Sequence, residues 1–413
     1  MNAHAPTPSS LWSDLRQLPR CYWILFSGTL INRFGHFVMP FLALYLKREG
    51  HPAWVTGASL AAYGAGGLIA NITGGYCADR LGRKPTILFS CCSAALAMLA
   101  LSQAHTANAI ITCSAMVGLA SSMYFPASSA LLADLVPEPL RIRAFGCQRL
   151  AVNLGFALGM MTAGALAAHS FLWLFIVDAA TTAVLGLLVL MGLPGGQAPS
   201  RDSAGWGIAL HAMQRHPAYL RAVFASFCIA MVFWQLSSSW GLHVTEIGGH
   251  SEKTYGLLMA INGLMIVALE LPLTSVTRRY PAPKIIALGY VGVGVAIGLS
   301  LLGGSLPLLT TIMVLFTLGE MIALPVSHSF IAQLAPNAMR GRFMGILGVA
   351  WSSATMIGPA AGLALFEHSP EVLWISCLGL GLAAAATVAS IPTSAEEPVP
   401  TPRASRPTKL SGH

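Results

Sequence analysis

The chain has 413 residues, 55% of them apolar and only 9% charged, with a formal net charge of +8. A soluble globular protein carries roughly 25% charged residues, so 23 basic and 15 acidic side chains cannot cover a water-facing surface of this size. Soluble multidomain folds are excluded, and disorder is excluded because too little of the chain is polar; the solvent that fits is lipid.

Crossing about 30 Å of hydrocarbon takes roughly 20 apolar residues. Twelve such runs are predicted, over 21–46, 54–77, 85–104, 108–133, 144–167, 171–192, 219–243, 254–277, 284–303, 307–334, 342–366 and 371–393. Several contain Gly or Pro, which packed membrane helices tolerate. Arg16 and Arg20 precede the first run as in a signal sequence, but the run is too long and no small-residue cleavage site follows, so a retained helix is expected. The loops alternate in charge. Nineteen of the 23 basic residues fall on one side, against Lys47, Arg48 and Lys253 on the other, with Arg33 alone assigned inside a span. This positive-inside asymmetry predicts that both termini are cytoplasmic. It also accounts for the basic charge without nucleic acid as a partner, because the charge follows the loops rather than one face of a soluble domain. The expected fold class is an all-α membrane protein with twelve transmembrane helices.

In the first span, Arg33, His36 and Pro40 follow i, i+3, i+7 spacing and are expected on one helix face. Arg33 lies about 12 residues in, roughly 18 Å from the start at 1.5 Å per residue. The loop after the second span reads Gly75-Tyr76-Cys77-Ala78-Asp79-Arg80-Leu81-Gly82-Arg83-Lys84. Gly75 permits close helix approach, Asp79 can pair with a basic side chain, Gly82 permits a tight turn, and Arg80, Arg83 and Lys84 anchor the loop. Tyr124 in span 4 is a pocket candidate. Gly155 and Gly159 in span 5 are small residues at close-packing spacing. Asp178 lies in span 6, where a structural helix contact and a proton-carrying role are both open.

The segment 194–218 is polar and is expected as a linker with an interfacial helix near 204–215. Trp234, Gln235 and Ser238 in span 7 and Asn262 in span 8 are further pocket candidates. Aromatics with few charges suit a large amphipathic ligand. Glu270 in span 8 and Glu320 near the middle of span 10 are embedded carboxylates. Each embedded charge is costly unless paired or wetted, so each is a functional candidate. His36 and His328 are also embedded. In span 11, Gly358-Pro359-Ala360-Ala361-Gly362 repeats the small-residue spacing. The eight cysteines have no C-x-x-C spacing, and neither a disulfide framework nor a metal site is expected. Gly292, Gly294 and Gly298 follow no strand and are not a dinucleotide loop; no Walker motif appears, and no cofactor is expected.

The sequence matches itself at an offset of 199 residues. Pro126, Ser128, Ala133, Leu135, Pro137, Arg141, Arg143, Gly146, Ala151 and Gly159 recur as Pro325, Ser327, Ala332, Leu334, Pro336, Arg340, Arg342, Gly345, Ala350 and Gly358. Spans 1–6 and 7–12 are therefore read as parallel copies. The expected organisation is a six-helix bundle over 1–193, a cytoplasmic linker over 194–218, a second bundle over 219–393 and a tail over 394–413.

The decapeptide Gly75–Lys84 resembles the major facilitator signature G-x-x-x-D-R-x-G-R-K without a mismatch, and parallel six-helix repeats are the arrangement of that superfamily. The stretch Ile31-Asn32-Arg33-Phe34-Gly35-His36-Phe37-Val38-Met39-Pro40 resembles the first span of its bacterial multidrug exporters. The resemblance implies a central cavity lined by spans 1, 4, 7 and 10, and a gating role for the decapeptide. Gly155-x-x-x-Gly159 resembles the antiporter motif ending in Gly-Pro, with Met160 in place of the proline; the span 11 copy is closer. The span 4 arginine of the family is absent, with Ser114 at that position. Proton-coupled peptide importers carry a glutamate before the arginine, where Asn32 stands here.

These features predict a transporter rather than an enzyme: a monomeric, proton-coupled exporter of small amphipathic drugs or metabolites in a bacterial inner membrane. Its coupling residues are Glu320, Glu270, Arg33 and Asp178, with Arg33 as partner of Glu320 or anchor for substrate. The pocket would comprise Arg33, His36, Tyr124, Trp234, Gln235, Asn262 and Glu320. The alternatives are a proton symporter importing a sugar, organic acid or peptide, and a dedicated siderophore or metabolite exporter.

Overall fold

A computed structural model describes residues 17–137, 140–194, 206–277, 279–336 and 340–392. The expected tail 394–413, the first part of the expected linker and the side chains of Gly75 and Asp79 lie outside the described residues. Among the described residues every regular element is helical. Eleven helical stretches are long and apolar enough to cross a membrane alone. They are span 2 (Ala53–Ala78), span 3 (Arg83–Ser102), span 4 (Ala107–Leu135), span 5 (Ala144–His169), span 6 (Leu172–Gly192) and span 7 (Pro217–Ile247). The others are span 8 (Glu252–Thr277), span 9 (Ala282–Leu302), span 10 (Leu306–Leu334), span 11 (Arg342–His368) and span 12 (Pro370–Ala389). Span 1 completes the twelve as two helices, Arg20–Gly35 and Val38–Arg48, each too short to cross alone. The linker helix runs over Trp206–Gln214.

The spans agree with the expected twelve-helix fold class, and spans 1, 4 and 7 carry interruptions in their helices. A proline ring collides with the carbonyl four residues earlier and lacks an N–H. Pro40 acts on His36, which leaves the helix at φ −81°, ψ 62°. Pro126 acts likewise on Ser122, where the first helix of span 4 stops before resuming at Tyr124. Span 7 has no proline at its break. Its helix Pro217–Phe233 gives way to a 3-10 turn over Trp234–Ser237, a short helix Ser239–Leu242 and a π turn His243–Ile247. Side chains supply the alternative backbone partners. The Ser238 hydroxyl donates to the Trp234 carbonyl at 3.0 Å. Pro325 and Pro359, by contrast, sit inside unbroken helices.

The breaks in spans 1 and 7 are in register, because the 199-residue offset carries Gly35 onto Trp234. Pro40 therefore belongs to a different helix from Arg33, which corrects the expected single face. Each break is backed by the small-residue motif of a neighbour. A Cβ on Gly155 would lie 2.6 Å from the Leu30 carbonyl oxygen, and one on Gly159 would lie 3.0 Å from the Phe34 carbonyl carbon. In the second half, Gly358 faces Met231 and Gly362 faces the Gln235 amide.

The halves meet through span 2 against span 11 and span 5 against span 8. A Cβ on Gly64 would lie 2.6 Å from the Met356 nitrogen. Away from the arginine-rich face, Lys47 pairs with Glu246, Arg48 lies 3.9 Å from Glu252, and Phe41 packs edge-on against Tyr255 at 5.2 Å. The Tyr255 hydroxyl lies 2.8 Å from the Leu236 carbonyl and 3.3 Å from that of Pro40. Toward the arginine-rich face, Arg149 pairs with Glu270 and Asn71 bonds to Ser352 at 3.1 Å.

Candidate functional site

Between the halves lies a cavity of about 250 Å³. The first half contributes Arg33, His36, Pro40 and Tyr63; the second contributes Trp234, Asn262 and Glu320. Both helices of span 1, on either side of the turn at His36 and Phe37, present residues to this space. Arg33, His36, Trp234, Asn262 and Glu320 from the expected pocket thus line a single cavity.

Glu320 is 7% exposed and accepts a hydrogen bond from Asn262 Nδ2 at 2.7 Å; the same nitrogen donates to Thr317 at 3.1 Å. Arg33 stacks over the Phe125 ring at 4.5 Å, and its Nε is buried without an acceptor. Of the two roles expected for Arg33, partner of Glu320 or anchor for substrate, the first has no direct contact behind it: Arg33 lies on Phe125, and Glu320 is bonded by Asn262. The Trp234 indole N–H is also buried without an acceptor. The cavity therefore offers one cation, one carboxylate, two unused donors and an apolar wall that includes Phe156, Phe233 and Met259.

Two expected pocket residues stand elsewhere. Gln235 is not on the cavity wall. Its Nε2 donates to the carbonyls of Met231 (3.1 Å) and Gly358 (2.9 Å), and its Oε1 accepts from Ser239 (3.1 Å), so its amide is spent on the span 7 break. Tyr124 shares a hydrogen bond with Thr29 at 2.8 Å and lines a smaller chamber inside the first half, about 40 Å³ in volume. Arg33 and His36 line both spaces.

Glu270 is held by Arg149, whose Nε donates to Oε1 at 2.9 Å. Sequence reasoning grouped Arg149 with the loop arginines, yet the structure puts it inside span 5. The signal was present, since the predicted run 144–167 contains it. Asp178 is 3% exposed and lies at the span 1 break. Ser114, where the family arginine is missing, is fully buried.

The decapeptide closes the turn between spans 2 and 3. Gly82 has φ +98°, a conformation other residues rarely adopt. Arg83 pairs with Asp134 at the end of span 4 and donates to the Ala130 carbonyl at 2.9 Å. Lys84 donates to the Leu190 and Leu193 carbonyls at 2.8 and 2.6 Å, capping span 6 where the helix dipole favours a cation. Arg80 lies over the Tyr76 ring at 5.3 Å. The three basic residues thus tie one turn to spans 2, 4 and 6.

The Major Facilitator Superfamily model matches residues 25–248 and 222–412, and the chain belongs to that family of membrane transporters, which are not enzymes. Among its relatives is the MFS-type transporter YqjV of Bacillus subtilis, 26% identical over 85% of this chain and 87% of that one. A Na(+), Li(+), K(+)/H(+) antiporter of Planococcus maritimus is 24% identical over 78% and 84% of the two chains. The multidrug resistance protein MdtH of Aeromonas hydrophila is 23% identical over 89% and 93%. The fold matches a crystal structure of the peptide transporter POT with a TM-score of 0.77 at 18% identity, covering 93% and 98% of the chains.

Proposed function

We propose that this transporter is a proton-coupled exporter of small amphipathic compounds, working by alternating access in a bacterial inner membrane with both termini cytoplasmic. The observation that carries the reading is the composition of the central cavity: a buried carboxylate with a neutral hydrogen-bond partner, in a largely apolar space at the junction of two halves. A buried carboxylate facing no direct cation is stabilised by accepting a proton or by contact with a cationic ligand. Glu320 can therefore be occupied by proton or by substrate, but not efficiently by both. Exchange follows when the cavity opens alternately to either face. Arg33 and the Trp234 N–H supply donors that orient the polar end of a ligand, and the apolar wall accepts the rest.

The bundles 1–193 and 219–393 are the rocking bodies in this reading. The small-residue contacts of spans 2 with 11 and 5 with 8 allow sliding, because glycine surfaces offer few interdigitating side chains. The antiporter and multidrug relatives support export by proton exchange. An importer remains the second reading, favoured by Arg33 as an anchor for an anionic substrate.

The test uses inverted membrane vesicles with an imposed proton gradient and a pH-sensitive dye, challenged with lipophilic cations, neutral drugs and organic anions. Compound-dependent proton release in the wild type, lost in Glu320→Gln, is the expected result. No release by any compound, together with accumulation of an anionic compound in whole cells, would replace export with import.

A further inference from the structure

The break in span 1 has a charged group on each side, and only one of them faces the central cavity. Arg33 lies in the last turn of the first helix. Asp178, from span 6, lies against the backbone N–H of Val38, the first residue of the second helix, and within electrostatic range of Arg33. Its position is tightly set. Gly35 accepts Thr181 so closely that a Cβ there would sit 3.0 Å from the Thr181 methyl carbon. Asn32 Nδ2 donates to Thr182 Oγ1 at 2.9 Å, one helical turn along span 6 from Asp178. The second carboxylate oxygen, Oδ2, is buried with no partner.

A chamber of about 40 Å³ inside the first half is lined by Asn32, Arg33, His36, Tyr63, Tyr124 and Thr182, the last one helical turn from Asp178. A water needs about 10–15 Å³ of such volume and several polar partners, so the chamber suits a short water file. The groups facing Asp178 and Arg33 from the packed elements are His36 in span 1, Tyr63 in span 2, Cys91 in span 3 and Tyr124 in span 4. None of these is an acid that would compete with Asp178 for the guanidinium.

We propose that Asp178 is the resting counter-ion of Arg33 and a second exchangeable proton site, so that the first half controls how strongly Arg33 acts on the central cavity. An arginine stays charged, and a buried charge needs a compensating one. With Asp178 ionised, that compensation comes from span 6. When Oδ2 takes a proton, the positive charge of Arg33 is uncompensated and is directed at Glu320 or an anionic ligand group. Asp178 is thus a positioning residue acting through Arg33, and its N-cap contact couples its charge state to the angle of the break. The proton-exchange step rests on the proton-coupled reading above; the counter-ion relationship does not.

The test measures thermal stability of purified full-length protein from pH 5 to 9 for wild type, Asp178→Asn, Asp178→Glu, Arg33→Gln and the double variant Asp178→Asn/Arg33→Gln. Asp178→Asn should lower Tm by roughly 5 °C at high pH, because it strands a buried cation. The deficit should shrink as pH falls, since a protonated aspartate and an asparagine are both neutral. The double variant should regain most of the loss, and Asp178→Glu should keep the pH dependence. In reconstituted vesicles, Asp178→Glu should shift the pH profile of transport. Equal losses in Asp178→Asn and the double variant, or a pH profile untouched by Asp178→Glu, would reduce Asp178 to a helix cap and overturn the proposal. If the wild type moved no protons, the exporter reading would fail, while the Tm comparison would still decide the counter-ion pairing.

Discussion

Arg149 of span 5 and Glu270 of span 8 form an ion pair across the two halves, with Nε donating to Oε1 at 2.9 Å. Glu270 is the less exposed partner, at 11% against 41% for Arg149, and its other oxygen is buried without a donor. The pair lies one to two helical turns from Asn153 and Ile266, which line the central cavity. It bridges the halves on the arginine-rich side of the span 5–span 8 contact, and in the alternating-access reading proposed above it parts when that side opens. Arg149→Gln should weaken this closure by about 1–2 kcal/mol, less than a fully buried pair because Arg149 is partly wetted. Cross-linking between cysteines placed at Asn71 and Ser352 on the same side should slow several-fold. The swap Arg149→Glu with Glu270→Arg should recover it. Unchanged cross-linking in the single variants would show that the pair does not hold the halves.

The Asn262–Glu320 bond at 2.7 Å predicts graded effects on transport. Glu320→Gln should abolish proton release while the protein still folds, because the amide fills the same space beside Asn262. Asn262→Ala should preserve a carboxylate but cost about 1.5–3 kcal/mol of its stabilisation, seen as a displaced pH optimum rather than lost activity. Full proton release by Glu320→Gln would remove Glu320 from the coupling scheme.

Two contacts on the face away from the arginine-rich loops differ sharply in expected weight. The Lys47–Glu246 pair is exposed, at 55% and 36%, and such pairs contribute about 0–1 kcal/mol. Lys47→Gln should therefore leave Tm nearly unchanged. The Tyr255 hydroxyl is fully buried and shared between the Leu236 and Pro40 carbonyls of opposite halves. Tyr255→Phe should cost about 1–3 kcal/mol and make this face open more readily, measurable as faster labelling of a cysteine introduced at Ala43.

Glycine substitutions separate packing from backbone strain. Gly82→Ala is unfavourable at φ +98° whatever the space, by roughly 1–2 kcal/mol. Gly159→Val should prevent span 5 from seating on the span 1 break and abolish expression. Gly146, in the same helix, has nothing within 4 Å of the point where a Cβ would stand, so Gly146→Ala should be neutral or slightly stabilising. A Gly159→Val protein with wild-type yield and Tm would show that the close approach is dispensable.

The number of spans, the duplicated halves and the tight turn between spans 2 and 3 were legible in the sequence, because lipid forces long apolar runs and the loops carry a charge bias that needs no tertiary information. Embedded charges were legible for the same reason: Arg33, Asp178, Glu270 and Glu320 are conspicuous in a chain with 15 acidic residues. Arg149 escaped because, although the predicted run 144–167 contains it, a basic residue in the first turns of a span was counted with the adjoining loop. The breaks escaped because a proline alone does not decide them. Pro40 interrupts its helix, Pro325 does not, and span 7 breaks with no proline at all.

The partnership of charges was decided only by the tertiary structure. Sequence depth put Arg33 and Glu320 at the same level of the membrane, and depth alone made them partners. Packing instead sets Arg33 over Phe125, joins Glu320 to Asn262, and joins Glu270 to Arg149 of the other half. Helical period and hydropathy are one-dimensional and report how deep a residue lies. Which neighbour it meets depends on the rotation and kink of each helix, and those follow from glycine contacts and side-chain hydrogen bonds between segments more than a hundred residues apart, such as Gly358 with Gln235.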